Sequence, residues 1–317
     1  MSAPTVLALS GGVGGAKLAL GLMHTLPPEN LTVVANTGDD FTHLGLRICP
    51  DIDTVVYTLS DLADKNRGWG RAGESWNFMA ALGRIGGEDW FNLGDGDMAM
   101  HVFRTQALAE GRTLSDVTAE IAETLGIGPR ILPMTDETVA TVVESANGDL
   151  PFQHYFVRDR CEPAVTGFRF TGIADAKANA EMMTLINGSH LDSIVVTPSN
   201  PFVSIDPILS LPGVRDALNA QTSPIIAVSP IVGGKAIKGP AAKMMAELGL
   251  PSTALAVAEH YRDLIDGIVI DEVDNEQADD IAALGMEVRV AQTVMRTLED
   301  RKDLARICCA FGAEIGL

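Results

Sequence analysis

Four aspartates lie within fifteen positions of one another, in the stretch NTGDDFTHLGLRICPDIDT. They are Asp39, Asp40, Asp51 and Asp53. Clustered carboxylates repel one another unless a cation lies between them, and oxygen ligands suit Mg²⁺ better than a soft metal. The cluster therefore predicts a magnesium site. For Asp51 the alternative is N-capping of the following helix, because Asp is a favoured N-cap.

The stretch ALSGGVGGAKLAL places glycines between an apolar run and a helical run. It fits neither common phosphate-binding signature, since a dinucleotide fingerprint needs glycine where Lys17 stands and a Walker A loop needs Ser or Thr after that lysine. The stretch still has the features of an anion-binding loop, because a turn without Cβ atoms connects a strand to a helix N-terminus. The alternative is that the glycines only allow the helix and the strand to pack closely. The substrate-binding candidates here are Gly11, Gly12 and Gly14.

Three further loops carry groups suited to a nucleotide or a flat ring. The tryptophan of RGWG can stack on a ring, with core or lid packing as the alternative. The serine and asparagine of PSNP can hydrogen-bond a base or a ribose. The SPIVGGK loop precedes a helix begun by proline and suits phosphate, unless it is a solvated basic turn. The candidates in these loops are Trp69, Ser199, Asn200, Gly233, Gly234, Lys235 and, three positions further on, Lys238.

Other polar residues have simpler explanations. Asp95 and Asp97 precede a helical run and are explained equally well as helix caps. The histidines have no metal-ligand spacing and are expected to be mostly ordinary surface or core residues.

The elements that position these loops alternate between strands and helices. Apolar, strand-like runs cover residues 5–9, 32–36, 193–197, 225–229, 267–271 and 287–290. This alternation predicts an α/β fold with a doubly wound, mostly parallel, Rossmann-like sheet. Ligands of such sheets bind beyond the carboxyl ends of the strands, where four of the polar loops fall. In residues 130–175 the pattern changes to β-rich stretches in which apolar and polar side chains alternate. This pattern predicts a smaller β-rich subdomain or insertion within one large α/β domain over residues 1–317.

Composition excludes several classes of partner. The chain has 42 acidic and 23 basic residues, and its net charge of −19 repels nucleic acid and anionic membranes. Its four cysteines include no C-x-x-C pair, and no apolar run approaches the ~18 to 20 residues of a membrane span. A cytoplasmic protein is expected. A phosphorylated ligand must then be met by local lysines, backbone amides or a divalent cation.

Several motifs occur together and in order: SGGVGGAK, NTGDD, CPDIDTVVYTLS, RGWG, LGDGD, PSNPFVSI and SPIVGGKAIKGPAAK. From about residue 5 to residue 300 this pattern resembles the 2-phospho-L-lactate transferase family of coenzyme F420 biosynthesis. The resemblance implies an enzyme that joins Fo, a deazaflavin with a ribityl chain, to a phosphorylated small acid supplied as a guanosine diphosphate derivative. It also implies that GMP leaves and that Mg²⁺ is required.

The same resemblance implies roles for individual residues. Asp53 and Asp40 are the catalytic candidates, with Asp53 at the Fo site, and Asp40 and Asp51 are the candidate metal ligands. The LGDGD motif, with Asp95 and Gly96, is implied in Fo binding, although the family often has a basic residue where Gly96 stands. The guanosine diphosphate portion is assigned to two loops, whose residues are Ser199, Asn200, Pro201, Gly233, Gly234 and Lys235.

Two other functions remain as alternatives. Regulatory proteins of similar fold bind a nucleotide sugar and share the glycine loop and the SNP element, whereas RGWG and CPDIDTVVYTLS favour the transferase. An NAD-dependent oxidoreductase is disfavoured by the failed fingerprint. The transferred acid, whether of lactate, enolpyruvate or glycerate type, cannot be read from these motifs. The C-terminal segment packs either on the core or on a second copy, which leaves a homodimer open.

Overall fold

The computed structural model describes residues 3–316, and within them the chain forms fourteen β-strands and twelve α-helices. The strands are β1 (Val6–Ser10), β2 (Leu31–Ala35), β3 (Phe41–His43), β4 (Leu46–Ile48), β5 (Arg130–Pro133), β6 (Ala140–Ser145), β7 (Leu150–Pro151), β8 (Val165–Thr171), β9 (Ser193–Val196), β10 (Ile225–Val228), β11 (Ile231–Val232), β12 (Lys235–Ala236), β13 (Gly267–Asp271) and β14 (Glu287–Ala291). The helices are α1 (Gly12–Met23), α2 (Pro50–Leu59), α3 (Asn77–Arg84), α4 (Asp95–Ala109), α5 (Leu114–Thr124), α6 (Ala180–Asn187), α7 (Asp206–Leu209), α8 (Val214–Asn219), α9 (Ala241–Glu247), α10 (Ala254–His260), α11 (Ala278–Ala282) and α12 (Leu298–Ile315).

Seven of these strands form one parallel sheet in the order β14-β13-β10-β9-β1-β2-β5. The chain builds outward from β1 through β2 to β5, then returns to the other side of β1 with β9 and continues to β14. The strand order therefore reverses between β1 and β9. In open α/β sheets this switch point is where the loops diverge and leave a crevice for a ligand.

Both faces of the sheet are covered, because its strands are apolar on both sides. In β1, Leu7 and Leu9 join one core, while Val6 and Ala8 join a second core on the opposite face. This near-continuous apolar pattern is typical of a parallel sheet with helices on each face. The predicted doubly wound α/β fold is confirmed.

The C-terminal helix packs on this second core. Leu304 and Phe311 of α12 are buried there, and α12 also packs closely against α1. The segment therefore takes the first of its two predicted arrangements, packing on the core of its own chain. Homodimer formation and a cytoplasmic location stay predictions.

A three-stranded antiparallel sheet, in the order β7-β6-β8, lies within the stretch predicted to be β-rich. Two details differ from the sequence pattern. Arg130–Pro133 pairs in parallel with β2 and belongs to the main sheet. The alternating stretch FQHYFVRDR contains a π-helical turn, His154–Arg158, in which Tyr155 is buried. Phe152 and Tyr155 are three positions apart, a spacing that also fits one helical turn. Because both side chains are buried next to each other, the helical turn is favoured over a strand.

None of the helices described within residues 3–316 is both long enough and apolar enough to cross a membrane.

Candidate active site

A cavity of about 630 Å³ lies at the carboxyl ends of the central strands, beside the switch point. The loops after β1, β2, β9 and β10 all reach it, as the sequence pattern predicted. Residues from these loops that line it are Gly11, Gly12, Gly14, Asp39, Pro198, Ser199, Asn200, Ser229 and Pro230. The rest of its wall comes from helices α1, α2 and α4, the segments before α3 and α4, the antiparallel sheet region and the segments after β12 and β14.

The glycine loop is shaped first by packing. A Cβ atom on Gly14 would lie 2.2 Å from the carbonyl oxygen of Pro198, so only glycine lets α1 approach the loop after β9. Ser199 Oγ accepts a hydrogen bond from the Gly11 amide at 3.1 Å and donates to the Gly11 carbonyl at 2.7 Å. These contacts support the close-packing explanation of the glycines, although Gly11, Gly12 and Gly14 also line the cavity.

Asp51 caps a helix other than its own. Its Oδ1 accepts from the Gly12 amide at 2.7 Å, at the start of α1, and its Oδ2 accepts from Asn36 Nδ2 at 2.9 Å. The N-cap of its own helix is Cys49, which makes no side-chain capping bond. The alternative that Asp51 caps its own helix is therefore wrong, because its carboxylate is engaged across the cleft.

Three carboxyl groups of the acidic stretch, those of Asp39, Asp40 and Asp51, are buried. Burial raises the pKa of Asp51 to about 6 and that of Asp40 to about 7. Burial and the neighbouring charges of Asp51 and Asp40 raise the pKa of Asp39 well above its ordinary value. Asp39 and Asp51 line the cavity, and Asp39 Oδ1 has no hydrogen-bond partner within the described chain. Asp40 does not line the cavity and pairs with Arg47 Nη2 at 3.1 Å.

Asp53 lines the cavity and is held by a fully buried arginine. Arg104, on α4, binds both carboxylate oxygens of Asp53, with Nη1 3.2 Å from Oδ2 and Nη2 on Oδ1. Burial alone lowers the pKa of Arg104, but the attraction of Asp53 raises it above its ordinary value. His101 Nδ1 lies 3.7 Å from Asp53 Oδ2. The bidentate pair fixes the orientation of Asp53.

A second polar group adjoins this pair. His101 Nε2 lies 3.2 Å from Asp97 Oδ1, which also accepts a hydrogen bond from the Tyr57 hydroxyl. Burial raises the pKa of Asp97, but His101, Tyr57 and Arg104 outweigh it and lower that pKa below its ordinary value. All three side chains, Tyr57, Asp97 and His101, line the cavity. They form a polar cluster beside Asp53.

Of the two lysines predicted to meet phosphate, Lys235 and Lys238, only Lys238 lines the cavity. Lys17 and Lys238 line it, whereas Lys235 does not and is exposed on β12. Gly233 and Gly234 form the two-residue turn between β11 and β12, both at positive φ, 56° and 76°. Positive φ at both positions is what a tight hairpin turn of this kind requires. The glycines of this loop are thus explained by the hairpin.

Aromatic side chains line another part of the wall. Phe152 and Phe156, from the antiparallel sheet region, stack with ring centroids 5.5 Å apart. Phe91 contributes from the segment before α4. Trp69 also lines the cavity and is 51% exposed, with the Arg67 guanidinium 5.0 Å from its ring centroid. Such a wall suits a flat ring.

Three more of the predicted positions lie outside the cavity. Asp95 accepts hydrogen bonds from the Ser75 hydroxyl at 2.6 Å and the Phe78 amide at 3.1 Å, and so fixes the start of α3. The Gly96 amide donates to Glu74 Oε2 at 2.6 Å. Pro201 begins a π-helical turn, Pro201–Ile205, of which Val203 and Ser204 line the cavity but Pro201 does not.

Sequence reasoning missed Arg104, His101, Tyr57 and Lys17 as site residues. One signal was available: Asp97 and His101 stand four positions apart in a helical run, which places them on one face. Nothing in the local sequence of Arg104 marks it as the partner of a residue 51 positions earlier.

The fold and the cavity together define a Rossmann-like α/β protein with a ligand site at the switch point of its sheet. The family model of 2-phospho-L-lactate transferase CofD matches residues 6–302. The chain is 39% identical over 304 residues to the 2-phospho-L-lactate transferase of Methanosarcina barkeri, with 95% of this chain and 96% of that protein covered. It is 38% identical over 317 residues to the phosphoenolpyruvate transferase of Kitasatospora aureofaciens, with 98% of each covered. The chain belongs to the CofD family and is a transferase of coenzyme F420 biosynthesis.

A solved structure shares the fold at low sequence identity. A crystal structure of a Bacillus halodurans protein matches with a TM-score of 0.64 at 16% identity, covering 98% of this chain and all of that one. This likeness supports the α/β architecture alone. The family match decides in favour of the transferase over the nucleotide-sugar-binding and oxidoreductase alternatives.

Proposed function

We propose that the protein transfers a phosphorylated small carboxylic acid from a guanosine diphosphate donor to the terminal ribityl hydroxyl of Fo, releasing GMP. One observation carries the proposal: a single cavity is lined by Asp53 and His101, by the carboxylates Asp39 and Asp51, and by the lysines Lys17 and Lys238. A hydroxyl acceptor, a cation and a diphosphate need these three kinds of group close together.

The acceptor is assigned to the side of the cavity that carries Asp53. The aromatic wall of Phe91, Phe152 and Phe156 suits the deazaflavin ring, and the ribityl chain then reaches toward Asp53. Asp53 accepts the proton of the attacking hydroxyl, and Arg104 keeps the carboxylate oriented toward it. His101 adjoins Asp53, with its Nδ1 3.7 Å from Asp53 Oδ2.

The donor is assigned to the loops after β1, β9 and β10. Pro198, Ser199 and Asn200 offer backbone groups around a guanosine, since the Ser199 hydroxyl and the Asn200 amide are already hydrogen-bonded within the protein. This assignment keeps the PSNP loop that the sequence suggested, but it replaces the suggested side-chain hydrogen bonds with backbone ones. For the second loop it uses Pro230 and Lys238 in place of the exposed hairpin turn.

Magnesium fits two of the buried carboxylates. Asp39 and Asp51 line the cavity, repel each other, and leave Asp39 Oδ1 without a partner within the described chain. Among residues 3–316, no group of three or more His, Cys, Asp and Glu side chains is placed to hold a metal. Mg²⁺ needs only one or two carboxylates when substrate phosphates complete its shell. When bound, it neutralises charge on the reacting diphosphate. We assign Asp39 and Asp51 as its ligands, with Asp40 outside the site.

The reaction makes one bond and breaks one. The ribityl oxygen forms a bond to the phosphorus that carries the acid, and the bond from that phosphorus to GMP breaks. The hydroxyl proton passes to Asp53, and GMP leaves with the electron pair. Positioning and charge stabilisation account for most of the catalysis in such transfers.

The test is Fo-dependent release of GMP from donors that carry lactate, enolpyruvate or glycerate. With Mg²⁺ present, we expect at least one donor to release GMP only when Fo is added. Release without Fo would indicate a hydrolase. Tight donor binding without release under any condition would favour a nucleotide-binding protein and contradict the proposal. The ranking of the three donors identifies the acid.

A further inference from the structure

The RGWG motif forms the tip of a loop, residues 62–72, that contributes to the cavity wall. An isolated antiparallel bridge between Ala63 and Arg71 closes the base of this loop. Gly68 and Gly70 have positive φ, 73° and 69°, a conformation that favours glycine. The chain therefore turns sharply on each side of Trp69, which stands at the tip and lines the cavity.

Arg67 holds this tip together through its side chain. Its guanidinium lies over two indole rings, 5.0 Å from the ring centroid of Trp69 and 4.9 Å from that of Trp76. Its Nε donates a hydrogen bond to Asp64 Oδ2 at 2.9 Å, and its Nη2 donates to the carbonyl oxygen of Arg71 at 2.7 Å. These contacts fix the guanidinium and hold one face of the Trp69 ring against it.

Asp64 supports the same arrangement from the backbone. Its Oδ1 accepts hydrogen bonds from the amides of Asn66 and Arg67, both at 2.9 Å. The bond from the Arg67 amide contributes most to lowering the pKa of Asp64 below its ordinary value, so this carboxylate is charged at neutral pH. The loop tip is therefore organised by its own residues.

Trp69 keeps a large accessible area in this arrangement. The side chain is 51% exposed although Arg67 covers one face of the ring. An indole stacks well on another planar ring, and a side chain that is already fixed loses little conformational entropy when it does so. The two substrates of the proposed function each carry a planar ring, a deazaflavin and a guanine.

We propose that Arg67 is a positioning residue, which fixes Trp69 as a stacking surface for the planar ring of a substrate. The identity of the ring rests on the proposed function, whereas the fixing of Trp69 rests on the contacts of Arg67. Arg67 does not itself line the cavity, so its effect on binding passes through Trp69. Loss of Arg67 should free the indole and weaken binding of the ring.

The first measurement follows the motion of Trp69 in the full-length protein. The chain has three tryptophans, so Trp76→Phe with Trp90→Phe leaves Trp69 as the only one and keeps an aromatic ring beside Arg67. In this parent we expect the fluorescence anisotropy to decay mainly with the tumbling of the whole molecule. Arg67→Met keeps the apolar stem and should add a fast, subnanosecond to nanosecond component. Arg84→Met, exposed on α3, is the matched control and should leave the decay unchanged.

Calorimetry with Fo, and separately with GDP, tests whether the fixed indole contributes to binding. We expect Arg67→Met to raise the dissociation constant of one of the two ligands by about three- to tenfold, the scale of ordering one side chain. Trp69→Ala should raise the same constant at least as much. Adding Arg67→Met to Trp69→Ala should then change it by less than about twofold, because the two residues act as a unit. The ligand that is affected identifies the ring, and thermal melts check that each variant is folded.

Three results would overturn the inference. They are an unchanged anisotropy decay in Arg67→Met, wild-type affinity for both Fo and GDP in either single variant, and an equal loss from Arg67→Met with and without Trp69. None of these readouts depends on turnover. A protein in which Arg67 fixes Trp69 and Trp69 binds one of the rings, but which never releases GMP, would contradict the proposed function and leave the positioning role supported.

Discussion

Asp53 owes its position in the site to a residue far away in the sequence. Arg104 is completely buried, and its charge is compensated chiefly by the Asp53 carboxylate. Asn is as good an N-cap as Asp, so if capping were the only role of this side chain, a protein with Asn at position 53 would be expected to fold as well as the wild type. The buried ion pair reverses that expectation, because removal of one partner leaves the other charge unpaired.

Asp53→Asn should therefore lose both stability and turnover. We expect a destabilisation of about 3 to 5 kcal/mol, typical of breaking a buried ion pair. Adding Arg104→Met removes the unpaired cation and should recover most of that loss, while turnover stays at least about tenfold below wild type. Chemical denaturation and steady-state assays on each variant provide the measurement.

Glu181→Gln is the control for this pair. Glu181 makes an exposed bidentate contact with Arg130, whose Nη2 lies 2.8 Å from Oε2. Exposed pairs contribute less than about 1 kcal/mol, so this variant should remain close to wild type. Wild-type stability and turnover in Asp53→Asn would contradict the roles given to Arg104 and Asp53.

The buried carboxyls predict a pH dependence. The folded-state pKa of Asp51, about 6, is raised above its ordinary value of 3.8. Between these two values the folded protein holds more protons than the unfolded chain, so this group lowers stability as the pH rises through that window. Without metal, the Tm of the wild type relative to Asp51→Asn should fall between about pH 4 and pH 7.

Magnesium should reverse this loss at pH 7.5, because a cation favours the ionised carboxylates. The gain in Tm on adding Mg²⁺ should be clearly smaller in Asp39→Asn and Asp51→Asn than in the wild type and in Asp40→Asn. Scanning calorimetry with and without chelator measures it. An equal gain in all four proteins would remove Asp39 and Asp51 from the metal site.

At the residue scale, the sequence indicated the acidic loop because its four aspartates are close together along the chain. It did not indicate which of them meet in space. Asp40 turns away to Arg47, whereas Asp39 faces the cavity. Adjacent residues in a loop point in different directions, and only the packed structure decides which one reaches the site.

At the scale of secondary-structure elements, α1 packs closely against the loop after β9, and this contact is possible only because Gly14 has no side chain. Gly14→Ala would put a Cβ atom 2.2 Å from the Pro198 carbonyl oxygen, which belongs to the backbone and cannot rotate away. We expect a destabilisation of about 1 to 3 kcal/mol, as for other overpacked sites. Donor affinity should fall as well, because the helix must shift within the cavity wall.

Gly83→Ala gives the matched control for this substitution. Gly83 lies in α3, and the nearest atom to an added Cβ is Asp89 Oδ2 at 3.6 Å, an ordinary contact. Replacing glycine by alanine within a helix should then stabilise the protein by about 0.5 to 1 kcal/mol. Denaturant melts of both variants make the comparison. Equal effects would mean that α1 is not in close contact with Pro198.

The main strands could be predicted to within a residue or so, because an apolar run bounded by turn residues specifies a buried strand. Gly267–Asp271 coincides with its prediction, and Val6–Ser10 is displaced by one residue. Arg130–Pro133 was assigned to the wrong region, since four residues contain no sign of which sheet they join. The pairing of β5 with β2 is determined by tertiary packing and not by the local sequence.

For the whole molecule, the order of the strands determines where chemistry takes place. The reversal between β1 and β9 brings loops more than 180 residues apart into contact, as in the hydrogen bond between Gly11 and Ser199. Although the chain has a net charge of −19, two lysines, Lys17 and Lys238, line this cavity. The family pattern fixed the reaction class from the sequence, but not the acid transferred, because relatives of nearly equal identity carry both names.

The most direct test of the transfer is the mass of the deazaflavin product formed from Fo and the best donor. Attack at the phosphorus that carries the acid yields Fo joined to the phosphorylated acid, together with one GMP per product. We expect this pair of products in a one-to-one ratio, separated by chromatography and identified by mass spectrometry. Attack at the other phosphorus would yield guanylylated Fo and the free phosphorylated acid. Guanylylated Fo, or no adduct from any of the three donors with folded protein and Mg²⁺, would contradict the proposed reaction.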